Sequence, residues 1–223
     1  MKTNILESTQ GFHSLIEELK EVSRNTIFRG LSDSSYTLIP LIGRVNSYSS
    51  RLTREVVEKR LFVKFKESAI AFLSRTPNND FEWLALAQHH GIPTRLMDWT
   101  YNPLVALFFA VEKERTCDSC VYVTWHNVQL KSSDRNPFQI HRVYRYRPPY
   151  ITPRVISQAS VFTVHPEIEI PFESKNMMKI VIPNRLRREF KQMLFKYGIS
   201  NKVIYPGLDG ICKDLRWLET DEY

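Results

Sequence analysis

The chain has no apolar run approaching the roughly 18 residues of a membrane-spanning helix. Its start, Met1-Lys-Thr-Asn-Ile-Leu-Glu-Ser8, lacks the basic-then-apolar layout of a secretion leader. Three cysteines, an odd number, suit a reducing compartment better than a disulfide framework. A cytoplasmic protein without a membrane partner is therefore expected. Equally absent are a Walker loop, a GxGxxG turn, a GxSxG elbow and a nuclease-type carboxylate cluster, which removes most common nucleotide hydrolases and dehydrogenases. Cys117-Asp-Ser-Cys120 is a lone CxxC. Structural zinc wants four ligands and no second pair is in sight, while a redox pair wants a helix start rather than this hairpin-like position. His89 and His90 are adjacent, so on a helix they point about 100° apart and cannot chelate together. No metal is expected.

What is present is ordinary for one globular core: 223 residues, 43% hydrophobic and 25% charged, with no repeat, linker or low-complexity tract. Charge is unevenly spread. Residues 140–202 carry 12 Lys or Arg against 4 Asp or Glu, a surplus of +8 in a chain of net +7, so the rest is −1. That surplus reads either as a solvated, solubilising face or as a surface for phosphate or nucleic acid.

Phe12, Leu15, Ile16, Leu19 and Val22 recur at helical spacing, predicting an amphipathic helix over 11–24. A short strand at 26–29 follows. Beyond a loop at 46–50, Thr53 can cap a long helix with the stripe Val56, Val57, Phe62, Phe65, Ala69 and Phe72. Asn78-Asn79-Asp80 caps the next helix, 81–90, and 103–114 is apolar nearly all round, as a buried helix would be. The pattern then turns to strands at 121–125, 143–146, 155–164 and 177–182. A basic helix opens at Pro183-Asn184, runs through Tyr197 and stops at Gly198, before a short strand at 202–205 and a last helix after the turn 207–210. Helices first and strands later argue for a single α+β domain, with N-terminal helices packed on a β core.

The stretch from Leu84 to Ala110 is the most informative. An apolar helix stops at Gly91, a segment dense in polar side chains (Thr94, Arg95, Asp98, Trp99, Thr100) follows, and a second helix opens at Asn102-Pro103. Polar groups wedged between buried helices need partners or a ligand. Arg29, ending a strand before Gly30, offers a bidentate donor for phosphate or carboxylate beside a backbone with room for a ligand. It could equally pair with Asp98, and Arg95 and Asp98 could pair structurally.

Phe28-Arg29-Gly30, Gln88-His-His-Gly91, Pro93-Thr-Arg-Leu-Met-Asp-Trp-Thr100 and Ser157-Gln-Ala-Ser-Val-Phe-Thr163 together resemble the FRG domain family of bacteria and phages, over about residues 26–217. The outline also resembles the ADP-ribosyltransferase fold, implying a split antiparallel β core. Enzymes of that fold often carry an aromatic-Arg-Gly triplet whose arginine contacts NAD. A later strand, here Asp98-Trp99-Thr100, leads into a helix ending like Ala106-Leu-Phe-Phe109-Ala110, and a third strand carries a catalytic glutamate. Gln158 stands at the corresponding place. Glutamine can hydrogen-bond a ribose hydroxyl but brings no charge to a developing cation, so either Asp98 compensates or the pocket binds NAD or ADP-ribose without fast turnover.

The resemblance implies an NAD-dependent, ADP-ribosyltransferase-like effector, a toxin or anti-phage component acting on a protein or nucleic acid acceptor and open to a neutralising partner. Arg29, Asp98 and Gln158 would be catalytic. Phe28, Arg29, Gly30, His89, Arg95, Trp99, Thr100 and Phe162 would contact NAD, with Trp99 packing on the nicotinamide or its ribose. The alternatives are a nucleic-acid-binding or RNA-modifying module, using the basic third and exposed Arg187, Arg188 and Lys191, and a non-catalytic interaction domain.

Overall fold

The computed structural model describes residues 1–19, 25–46, 52–130, 136–149, 152–220 and 223. Val22 and residues 47–50 of the expected loop lie outside them. The strands are β1 (Lys2–Ile5), β2 (Thr26–Leu31), β3 (Leu96–Thr100), β4 (Ser119–Trp125), β5 (Tyr144–Tyr146), β6 (Ser160–Val164) and β7 (Met177–Ile182). The helices are α1 (Thr9–Glu17), α2 (Leu41–Arg44), α3 (Arg54–Ala69), α4 (Asp80–His89), α5 (Pro103–Val111), α6 (Pro153–Ser157), α7 (Arg187–Lys196), α8 (Asn201–Ile204) and α9 (Leu208–Thr220).

Among the described residues the strands form one sheet in the order β1-β7-β4-β2-β3-β6-β5. The expected α+β mixture is present. The antiparallel core is not complete, because β1 pairs parallel with β7, Lys2 lying opposite Met178. Exposed and short, β1 carries no pattern of its own and exists through a partner distant in sequence. The decisive joint is β2–β3. These strands share a single pair, Phe28 with Thr100, and then part, whereas β2 pairs with β4 and β3 with β6 along their full lengths.

Residues paired across antiparallel strands point to the same face, so the register sorts the core. On one face Phe28, Val121, Val123, Ile180 and Ile182 pack against Ala106 and Ala110 of α5, Phe190 and Leu194 of α7, and Phe12 of α1. On the same face Leu96, Phe162 and Val164 pack against Phe81 and Leu84 of α4 and Phe62 of α3. The opposite face buries Ile27, Met97, Trp99, Tyr122 and Val161 under Leu38 and Phe172. Two helical groups thus cover one side of the sheet, meeting above the place where β2 and β3 diverge.

Local chemistry fixes the elements around that place. Asn79 accepts from the Glu82 N–H to start α4, and Asn102 accepts from the Leu104 N–H to start α5, with Pro103 in its first turn. Gly30 lets α5 approach: a Cβ there would run into the Ala106 carbonyl oxygen and lie 2.7 Å from the Ala110 nitrogen. The glycine makes room for a helix, not for a ligand.

Two expected strands are corrected. Residues 155–164 are not one strand: Pro153 opens α6, whose C-cap is Gln158, and β6 begins only at Ser160 after Ala159 with φ of 45°. Residues 202–205 fall largely in α8 instead, because Asp214 accepts from the Asn201 and Lys202 N–H groups at its start (2.9 and 3.1 Å). A partner in a different helix is invisible to local pattern. The helix expected over 11–24 is assigned only as α1, Thr9–Glu17, and that over 103–114 ends at Val111.

Candidate functional site

The divergence of β2 and β3 opens a cleft of about 370 Å³, within the roughly 300–1,000 Å³ of small-ligand sites. β2 supplies Phe28, Arg29 and Gly30, and β3 supplies Asp98, Trp99 and Thr100. Gln88 and His89 come from the end of α4, Glu112 and Lys113 from the end of α5, Arg154 from α6, and Gln158 and Ser160 from the turn into β6. Arg44, Tyr36 and Ser32 complete the wall. The three segments expected to converge do so: Arg29, Asp98 and Gln158 line one cavity.

Arg29 is its centre. One guanidinium nitrogen donates to the Asp98 carbonyl oxygen across the gap and lies 3.7 Å from the Asp98 carboxylate. Its Nε is buried and has no hydrogen-bond partner. Burial pulls the guanidinium below its usual pKa, which the charge of Asp98 only partly offsets. Arginine stays charged regardless, so this is a cation held short of counter-charge. Asp98 is a modest partner, its side chain 56% exposed against 15% for Arg29, with Gln88 Nε2 donating to it at 3.0 Å. Among the lining residues Arg29, Arg44, Lys113 and Arg154 outnumber the carboxylates of Asp98 and Glu112. The wall therefore carries a surplus of positive charge.

His89 lines the cleft while His90 is exposed. Burial lowers the pKa of His89, and its Nε2 is buried without a partner. This wall residue thus keeps one buried ring nitrogen without a protein partner. Gln158 is held by both ends: its Nε2 donates to the Ile204 carbonyl oxygen (3.1 Å), and its own carbonyl accepts from the Thr100 hydroxyl (2.7 Å). Oε1 is left as the acceptor it can present. The left-handed backbone of Ala159, which alanine rarely adopts, sits directly beside it.

Of the other expected contacts, Arg95 and Phe162 do not line the cleft, and Trp99 and Thr100 line it with their polar groups committed elsewhere. Arg95 is 3% exposed and grips the buried Glu58 through Nε and Nη2 (Nη2–Oε2 2.8 Å), so it ties α3 to the start of β3. Phe162 is fully buried in the core beneath α4, meeting His89 edge-on. Trp99 borders the cavity but is 3% exposed, and its indole N–H donates to Thr163 Oγ1 (2.9 Å) on the sheet's other face. It has no ring face for a nicotinamide. Thr100 is committed to Gln158 and to the Asn102 N–H.

The basic helix is also corrected. Arg187 is 2% exposed, with all five of its N–H donors engaged. They reach the carbonyl oxygens of Ala110, Lys113, Ser32 and Cys117 at 2.8–3.1 Å, and Asn184 Oδ1 at 3.3 Å. Lys191 is buried against the Trp217 and Tyr223 rings, and burial lowers its pKa to about 8. Of the expected exposed trio only Arg188 is exposed. At the CxxC, burial pushes the Cys120 thiol up to about 12, the opposite of a reactive thiolate.

Sequence reasoning missed Arg44, Glu112, Lys113 and Arg154 as wall residues. Glu112 had one signal available, a carboxylate at the C-terminal end of an apolar helix, where the dipole disfavours it.

Residues 24–119 match the model of the FRG domain family. That stretch holds the Phe28-Arg29-Gly30 and Asp98-Trp99-Thr100 walls of the cleft. No curated protein and no solved structure matches the chain. No helix among the described residues is long and apolar enough to cross a membrane.

Proposed function

With residues 24–119 as an FRG domain, we propose that the cleft binds NAD and that the protein transfers ADP-ribose from it to a macromolecular acceptor. The observation that carries the reading is Arg29, a buried cation with an unpartnered Nε in an anion-favouring cavity. The NAD pyrophosphate supplies the missing counter-charge, with Arg44 and Arg154 as further donors on the same wall. Gln158 Oε1 accepts from a ribose hydroxyl. Breaking the nicotinamide–ribose bond leaves positive charge on the sugar, and Asp98 is the carboxylate beside Arg29 that stabilises it. A cytoplasmic effector role, as toxin or defence component, with a neutralising partner, accords with this chemistry.

The test uses purified protein, labelled NAD and cell extract. Wild type is expected to release nicotinamide and to label a macromolecule. Arg29→Ala should weaken NAD binding by about 100-fold, the equivalent of one or two charge-assisted hydrogen bonds. Its stability cost should stay near 1 kcal/mol, because the aspartate left behind is solvated. Wild-type protein that neither binds nor consumes NAD, with an Arg29→Ala variant that simply unfolds, would sink the enzymatic reading.

A further inference from the structure

A second cavity, of about 510 Å³, adjoins the first and shares Glu112, Lys113 and Arg154 with it. Its far wall is Tyr205, Asp209 and Lys213, from the end of α8 and the start of α9. Glu112 stands at the partition. Its side chain is 14% exposed, both carboxylate oxygens lie 2.9 Å from the Tyr205 hydroxyl that donates to them, and Lys213 Nζ is 3.9 Å away. The carboxylate sits at the C-cap of α5, where the helix dipole opposes a negative charge. A position unfavourable to its own helix, oriented by a tyrosine from a different one and open to two cavities, is what a working carboxylate requires.

We infer that the second cavity is the acceptor subsite of the transfer reaction, and that Glu112 takes the proton from the acceptor nucleophile. The inference rests on the NAD reading above. Three cations (Lys113, Arg154, Lys213) face two carboxylates (Glu112, Asp209), so the subsite favours an acceptor carrying phosphate over a cationic side chain. Lys213 Nζ and the Arg154 guanidinium lie over the half-buried Tyr205 ring (4.7 and 5.6 Å to its centroid), which holds both cations on the cavity wall. This phosphate-favouring wall selects a nucleic acid strand, attacking through a base N–H or a sugar O–H. In the step, the bond between ribose C1′ and the nicotinamide nitrogen breaks, its electron pair leaving with nicotinamide and discharging the ring cation. The acceptor N or O forms the new bond to C1′, and its proton passes to the Glu112 carboxylate.

The experiment compares wild type, Glu112→Gln and Tyr205→Phe for NAD affinity, nicotinamide release in buffer alone, and labelling of single-stranded oligonucleotides, RNA and protein from extract. Glu112→Gln should lose labelling of the strand by about 100-fold, the scale of a general base, a larger factor than any change in its NAD affinity. Tyr205→Phe, which frees the carboxylate without removing it, should lose less labelling than Glu112→Gln and keep wild-type NAD affinity, because Tyr205 is not in the lining of the first cleft. Full labelling by Glu112→Gln overturns the assignment while leaving the NAD reading intact. Labelling confined to protein overturns the nucleic acid acceptor, and failure of wild type to bind NAD overturns both readings.

Discussion

Two arginines that look alike in sequence have opposite work. Arg29 pairs with a solvated aspartate, whereas Arg95 is locked to a carboxylate 1% exposed, in a pair where neither partner can reach water. Arg95→Ala should therefore cost about 3–5 kcal/mol, through the buried charge it strands on Glu58. Urea midpoints of the two alanine variants should separate them clearly, and equal losses would remove the distinction. Gln158→Glu adds the negative charge missing beside the sugar but gives up the amide that donates to Ile204. Nicotinamide release should hold or rise, while stability falls by about 1 kcal/mol. The cleft's first ring was legible because Arg29, Asp98 and Gln158 each interrupt an apolar element. Which arginine faced the cleft was not legible, since Glu58 reaches Arg95 from a helix 37 residues upstream and no local pattern announces it.

At the scale of elements, packing against a distant neighbour decides what propensity leaves open. Caps at Thr53, Asn79 and Asn102 follow from adjacent residues and could be read directly. The start of α8 depends on Asp214. Burial opposes ionisation of that carboxylate, yet the neighbouring Ser200 hydroxyl and hydrogen bonds from Asn201 and Lys202 outweigh it and hold the pKa below the ordinary aspartate value. A depressed acid stabilises the fold above its unfolded pKa and loses that contribution as pH falls through the folded one, so this element should loosen below about pH 4. Asp214→Ala should cost roughly 2 kcal/mol or more by orphaning N–H groups at the α8 start, and hydrogen exchange there should accelerate. Gly30→Ala tests the helix–sheet contact. The obstructing atoms are backbone, so α5 must move, and a loss of about 3 kcal/mol is expected together with damage to the cleft.

Across the whole molecule, one buried relay runs along the face of the sheet that Leu38 and Phe172 cover. The Trp99 indole donates to Thr163 Oγ1, and the Thr163 hydroxyl lies in turn 2.8 Å from His165 Nε2. Burial, reinforced by Arg29, lowers its pKa to about 3 from an ordinary 6.5. The unfolded chain takes up a proton near pH 6.5 that the folded chain refuses until about pH 3, so stability should decline as pH drops across that window. His165→Gln, measured by urea midpoint against pH, should flatten the decline. Arg187 binds the molecule differently, drawing the end of α5 and the segments around Ser32 and Cys117 onto α7. Lysine has too few donors to replace it, and both Arg187→Ala and Arg187→Lys should lose about 3 kcal/mol or more. The pairing of Lys2 with Met178 carries a last consequence, for the order of events on the ribosome. Both walls of the cleft emerge early, but β3 lacks β6 and β1 lacks β7 until translation has passed Ile182. A nascent chain therefore holds Arg29 and Asp98 long before it can hold the geometry between them, which is complete only when β6 has joined β3 and β7 has joined β1.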